Sequence, residues 1–329
     1  MFDTSGTAFT SVMAAANESR WRCRAAACIL ALLAACAVRA DEPAGFSGAR
    51  AMAHLETICG LGPRPSGSEA MIRQRDLLVA HFRAAGATVT GQAFQVRDPL
   101  TGGPVHMENL LVEWHPARRE RVLVAAHYDT RPFPDRDPVD PRGVFLGAND
   151  GASGVAVLME LAGAMPTLAG PVGVDFVLFD AEEYVFQATD RYFLGSTFFA
   201  RQYAADRAAG RAARTYRCGA VIDMVGDRDL EIWQERNSVQ WPDTRPVVEA
   251  IWEVARRQGR RQFVPRPRHA VTDDHVPLRM IAGIPTCDII DFDYPAWHTT
   301  RDLPAACAAE SLEAVGQVLL EWLRSQRAP

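Results

Sequence analysis

Val122-Leu123-Val124-Ala125-Ala126 is a continuous apolar run too short for a helix, and runs of similar length recur at Val172–Phe179 and Ile284–Ile290. A strand covered on both faces reads in this way, whereas a half-exposed strand alternates. Between these runs lie segments of helical apolar spacing: Ala49–Ile58, Ser68–Ala85, Gly151–Ala164, Leu194–Ala209, Pro246–Gln258 and Ala306–Arg324. Thr88–Val96, Glu108–Trp114, Cys218–Met224 and Leu230–Trp233 read as further strands, and a short helical turn is expected near His275. Buried strands alternating with helices predict an α/β protein, a three-layer α/β/α sandwich around a mostly parallel, mixed central sheet. No repeat or low-complexity linker divides residues 41–329, so they are expected to form one domain.

The polar residues that end the apolar runs point to chemistry. Val122–Ala126 runs into His127-Tyr128-Asp129, Val172–Phe179 into Asp180-Ala181-Glu182-Glu183, and the strand around Val221-Ile222 into Asp223. Trp297-His298 follows Ile284–Ile290, and Asp150 sits in the turn Gly147-Ala148-Asn149-Asp150-Gly151. In a doubly wound sheet ligands collect beyond the carboxyl ends of the strands. His127, Asp150, Glu183, Asp223 and His298 are therefore expected to converge on one cleft. Two imidazoles and three carboxylates without cysteine suit zinc or a similar divalent ion. Glu182 is left over to move protons. The turn around Asp150 is no phosphate loop, because it lacks the Gly-Lys-Ser/Thr ending. The acidic stretch Asp135-Arg136-Asp137-Pro138-Val139-Asp140 lacks the glycine and terminal glutamate of a calcium loop and reads as solvated.

The ordered set His127-Tyr128-Asp129, Gly147–Gly154, Asp180–Glu183, Leu194-Gly195-Ser196, Asp223–Gly226 and His298-Thr299 resembles metallopeptidase family 28. Gly60-Leu61-Gly62-Pro63-Arg64-Pro65-Ser66-Gly67-Ser68 is similar to that family's N-terminal element. The family comprises co-catalytic zinc aminopeptidases and the related glutaminyl cyclases, so the resemblance implies a zinc exopeptidase-like fold. It also implies one or two zinc ions and a peptide N-terminus as substrate. It makes Asp150 the ligand that bridges two metals, with His127 and Asp223 completing one site and Glu183 and His298 the other. Glu182 becomes the general acid/base.

Two segments resemble the cyclase branch: Thr272-Asp273-Asp274-His275-Val276-Pro277 and Trp297-His298. That branch implies a single zinc on Asp150, Glu183 and His298, with Asp273 and Asp223 as hydrogen-bond partners of the proton carrier. Trp297, with Phe186 or Tyr184, would wall the substrate pocket. Asn149–Gly154 is nearer aminopeptidase wording, and Tyr184-Val185-Phe186-Gln187 lacks a tryptophan typical of animal cyclases. A di-zinc aminopeptidase therefore stands as the alternative, and an inactive binding module on the same scaffold as a third class.

Arg20, Arg22 and Arg24 precede the apolar stretch Ala25–Val38, which is short for a membrane span but suits a signal-peptide core. Residues 1–40 are thus expected to be a leader, with translation starting at Met1 or Met13. Two exits are open: cleavage before Asp41, or a lipobox at Leu33-Ala34-Ala35-Cys36 that leaves a lipid anchor on Cys36. The mature chain is expected to be periplasmic, secreted or lipid-anchored, without a transmembrane domain. Past the leader, Cys59, Cys218, Cys287 and Cys307 form no CxxC pair, and buried free thiols are the default although three disulfide pairings are open. The net charge of −5 favours neither nucleic acid nor an anionic membrane. All 35 basic residues are arginine, which excludes a lysine base or Schiff base.

Overall fold

The computed structural model describes residue 1 and residues 45–326. The leader, its cleavage before Asp41 and an anchor at Cys36 lie outside the described residues. Contacts divide the chain into Met1–Gly45 and Phe46–Pro329, and the fold is that of the second unit. Its first elements are α1 (Gly48–Cys59), α2 (Glu69–Ala84), β1 (Thr88–Arg97), β2 (Pro104–Trp114), β3 (Glu120–His127) and α3 (Ala152–Leu161). β4 (Gly173–Phe179), α4 (Leu194–Ala208), β5 (Thr215–Asp223), β6 (Ile232–Gln234) and α5 (Arg236–Gln240) follow. The chain closes through α6 (Arg245–Arg257), β7 (Phe263–Pro267), α7 (His275–Met280), β8 (Thr286–Ile290) and α8 (Ala309–Arg324).

Six strands form the central sheet in the order β1-β2-β4-β3-β5-β8. β4, β3, β5 and β8 run parallel, and β1 and β2 extend that core as an antiparallel edge. The side chains of β3 explain why its sequence does not alternate. Val122, Val124 and Ala126 join the core beneath α1, α3 and α8, while Leu123 and Ala125 join a second core with Phe199 and Tyr203 of α4 and Leu278 of α7. Both faces are dry, as expected for parallel strands under helices.

Local signals fix the helix ends. Ser47 and Ser68 cap α1 and α2 by accepting the amides of Arg50 and Met71, and Pro246 occupies the first turn of α6. β1 and β2 are longer than expected because their outer residues are half-exposed, which dilutes the apolar signal. The segment Val264–His269, read as a Pro/Arg-rich loop, holds all of β7 but Phe263, and β7 pairs in parallel with β6 as a small second sheet. Proline is tolerated there because the strand lies at an edge. Cys59, Cys287 and Cys307 are buried free thiols and Cys218 is a half-buried one.

Candidate metal centre and active site

The sheet delivers the predicted residues to one end of its parallel strands. His127 is the last residue of β3 and Asp223 the last of β5, while Glu182 and Glu183 follow β4 and His298 lies past β8. Asp150 is set by the turn into α3. Gly151 there has φ 96°, and a Cβ on it would stand 2.4 Å from the Asp129 carbonyl oxygen and 3.3 Å from His127 Cε1, so no larger residue fits. Asp302 accepts the amides of Asn149 at 2.8 Å and Asp150 at 3.1 Å, and Tyr294 donates its hydroxyl to the same carboxylate. On the other side Arg64, fully buried, donates to the carbonyls of Leu146 and Gly147. The Gly60–Ser68 segment thus clasps the Asp150 turn from outside.

Asp129 orients the two glutamates by accepting the amides of Glu182 (3.1 Å) and Glu183 (3.0 Å). Among the described residues five non-glycine positions have positive φ, and Ala181, Phe193, Met224 and His298 lie at or beside the cleft. Left-handed backbone at such positions costs free energy that the surrounding packing has to offset, and it concentrates at functional sites.

The six expected side chains meet. His127 Nε2 lies 3.1 Å from Asp223 Oδ1 and 3.2 Å from Asp150 Oδ1. His298 Nε2 lies 2.8 Å from Glu183 Oε1 and 3.6 Å from Asp150 Oδ2. Four groups of ligand atoms among the described residues are close enough to hold a cation: His127–Asp150–Asp223 and Asp150–Glu183–His298, which share Asp150, with His127–Glu182–Glu183 beside them and Asp273–His275–Asp288 behind. Asp150 Oδ2 and Glu183 Oε2 are buried with no hydrogen-bond partner. Orphaned carboxylate oxygens are costly unless something positive meets them. Burial, with Glu183 alongside, pushes the Asp150 carboxyl up to about 8. Burial also acts to raise Glu183, but His298 and Arg131 outweigh it and hold that group down to about 2. The site has more negative charge than its own side chains neutralise, and a divalent cation fits that deficit.

Glu182 lines the same cleft and is almost fully buried. Burial raises its carboxyl well above the usual range, opposed by His127 and reinforced by Glu183, Asp273 and Asp274. Asp273 is pushed up to about 6 by burial and Asp223. The cleft, about 430 Å³, is bounded by Asp150, Glu182, Glu183, Asp273, Trp297 and His298 among others. Trp297 stands against His298 with ring centroids 4.4 Å apart. Behind Asp273 a buried chain of polar groups continues: Asp288 Oδ2 lies 3.5 Å from His275 Nδ1, and His275 Nε2 lies 3.4 Å from Glu235.

Two expected pocket residues lie elsewhere. Tyr184 points away from the cleft, packs with Phe94, Met107 and Ala181, and donates its hydroxyl to Asp98 at 2.8 Å. Phe186 packs edge-on to Tyr184 and lines a neighbouring chamber. Glu182 and Glu183 turn into the site, but the next residues follow the chain out over the sheet edge. The acidic loop read as solvated is exposed at all of its residues but Asp137, and two of its carboxylates nevertheless dock on the site. Asp135 Oδ1 lies 3.0 Å from His298 Nδ1, and Asp137 accepts the amide and hydroxyl of Thr300. Arg131 ties Asp135 (2.7 Å), Glu183 (3.3 Å) and the Tyr192 hydroxyl together. Arg131, Asp135 and Asp302 carry no periodic signal in the sequence, and only the folded loop reveals them.

The family model for peptidase family M28 matches residues 109–323, which hold all six expected strand-end or turn positions and the cleft walls. The chain belongs to peptidase family M28. It is 37% identical to the glutaminyl cyclase of Fimbriiglobus ruber, whose crystal structure superposes with a TM-score of 0.81 over 86% of this chain and 96% of that one. It is 25% identical to a mouse glutaminyl-peptide cyclotransferase-like protein over 79% of this chain and 71% of the relative. Aminopeptidase YwaD of Bacillus subtilis is also 25% identical, over 60% of this chain and 39% of that protein. This M28 chain is thus an enzyme of the glutaminyl cyclase and zinc exopeptidase kind, with acidic and histidine groups disposed for metal. Among the described residues no helix is long and apolar enough to cross a membrane.

Proposed function

We propose that the cleft cyclises the N-terminal glutamine of peptides to pyroglutamate with release of ammonia. The observation that carries this reading is Asp273, which lines a small cleft together with Glu182 and with the wall Trp297. Asp150, Glu183 and His298 would hold a zinc ion, which supplies Lewis-acid polarisation of the glutamine γ-carbonyl. Glu182, with its raised affinity for a proton, takes one from the attacking α-amine and hands it to the departing amide nitrogen. The new bond joins the α-nitrogen to the γ-carbon, and the γ-carbon–nitrogen bond breaks as ammonia leaves. Burial, reinforced by the negative charge of Glu183, Asp273 and Asp274, keeps the proton affinity of Glu182 high. Trp297 packs against the aliphatic part of the glutamine side chain and excludes water from the reacting carbon.

A specific observation supports a second reading. His127, Asp150 and Asp223 form a second ligand group, which is what a di-zinc aminopeptidase requires. The two readings part in one experiment. The purified protein is incubated with a Gln-initiated and a Leu-initiated peptide and the products are weighed. Loss of the mass of ammonia from the first is expected, and release of free leucine from the second would replace cyclisation with hydrolysis. The same reading takes residues 41–329 as the exported domain, which N-terminal sequencing of the mature protein tests.

A further inference from the structure

The cleft does not end at Asp135 and Tyr192. Both residues also line a second chamber of about 360 Å³ on the far side, walled by Phe133, Pro141, Arg142 and Phe186. Phe133 and Phe186 meet edge to face at 6.0 Å, which fixes the chamber's apolar floor. The ridge between the chambers is neutralised from within, since Asp135 is paired with Arg131 and His298 and Arg131 is shared with Glu183 and Tyr192. The Arg142 guanidinium is different. It lies 4.4 Å above the Phe133 ring, exposed, and no carboxylate among the described residues pairs with it. Arg136, on the same loop, lies 3.9 Å above the Trp297 ring at the wall of the first chamber and also lacks a carboxylate partner among the described residues. A path leading out of the cleft is thus flanked by two uncompensated guanidinium groups in a protein whose net charge is −5.

We propose that the second chamber is the subsite for the residues that follow the N-terminal one, and that it selects a carboxylate there through Arg142. The inference deepens the proposed function, because it assumes that a peptide N-terminus occupies the cleft. The carboxylate has two sources, an acidic side chain one or two residues downstream or the C-terminal carboxylate of a very short peptide. The apolar floor takes the methylenes of the side chain while the guanidinium takes its charge.

Peptide amides Gln-Ala-Glu-Ala, Gln-Ala-Gln-Ala and Gln-Ala-Lys-Ala, together with their isomers carrying the variable residue second, are compared by kcat/KM. The free acid and amide of Gln-Ala form a separate arm. We expect the Glu peptide to exceed the Lys peptide about 5- to 20-fold at low salt, the ratio shrinking as ionic strength rises, since the guanidinium is exposed. Arg142→Glu should invert that ratio, and an advantage of free acid over amide that is lost in the same variant supports the terminal carboxylate as the source. The binding of the same peptides to the Glu182→Gln protein is measured in parallel and does not depend on which reaction the enzyme performs. Selectivity in binding without cyclisation would retire the proposed reaction and keep the subsite. Equal values for Glu, Gln and Lys in both measurements, or a ratio untouched by Arg142→Glu, would overturn it.

Discussion

Glu182 and Asp150 differ by what surrounds them, and their variants should differ accordingly. Asp150 stands within reach of both histidines and joins the two ligand groups that contain one histidine each with it, whereas Glu182 approaches His127 no closer than 3.9 Å and joins only the His127–Glu182–Glu183 group. Glu182→Gln keeps the shape and removes the proton carrier. The variant is expected to bind metal with the stoichiometry of the parent and to lose about 10³-fold or more in kcat. Elemental analysis beside steady-state kinetics checks it, and unchanged turnover would remove Glu182 from the chemistry. All six of these side chains were legible as candidates in the sequence, because each sits at a chain position that strand topology sends to the same sheet edge. Asp302, which fixes the Asp150 amide, was not legible, since a carboxylate that binds backbone leaves no pattern. Tyr184 and Phe186 were misplaced for a related reason: adjacency to Glu183 in sequence says nothing about direction after a turn whose residue Ala181 already has φ 58°.

At the scale of elements, the parallel core is pinned at the end away from the cleft by a buried charged knot. Arg121 of β3 and Asp175 of β4 are almost wholly buried, with Nε to Oδ1 at 2.8 Å. Tyr216 of β5 donates its hydroxyl to Asp175 at 2.7 Å, and Arg214 approaches the same carboxylate at 3.1 Å. Arg121 also donates to the carbonyls of Trp114 and Val174, so one guanidinium satisfies backbone groups where β2 ends and β4 begins. Asp175→Ala leaves that guanidinium buried beside a phenol with no counter-charge. It should cost about 3–5 kcal/mol of unfolding free energy, read as a lower urea midpoint, whereas Glu253→Ala on the exposed face of α6 should leave the midpoint close to that of the parent. Equal midpoints for the two variants would deny the knot its role. The helices and the buried strands were readable because apolar period reports burial directly. β7 was hidden because it pairs with β6 only through Phe263, Val264 and Pro267, and of its five residues Phe263 alone is buried while Pro265, Arg266 and Pro267 stay exposed.

For the molecule as a whole, the sign of its pH dependence follows from where its carboxyls are buried. Asp180 and Asp291 are nearly inaccessible, and burial pushes each up to about 7. The folded state therefore holds protons that the unfolded chain, with ordinary carboxyls near pH 4, has already released. The contribution of these two groups is fully present below about pH 4 and is lost as pH rises to about 7, on the order of 1 kcal/mol per pH unit for each. His54, pushed down to about 4 by burial, works in the opposite direction, but only below about pH 6.5. Without a cation, Asp150 at about 8 and His298, raised to about 9 against the effect of burial by Glu183 and Asp135, extend the loss to higher pH. A bound divalent ion takes the place of those protons and removes that part of the slope. Between about pH 6 and pH 8 the melting temperature of chelator-treated protein is therefore expected to fall by about 5 °C more than that of protein with zinc, and Asp291→Asn should flatten both curves by a similar amount. Thermal scans at the two pH values, with and without metal, measure it. Parallel curves would mean that the carboxylates of the cleft are not relieved by a cation, and the metal centre would have to be sought elsewhere.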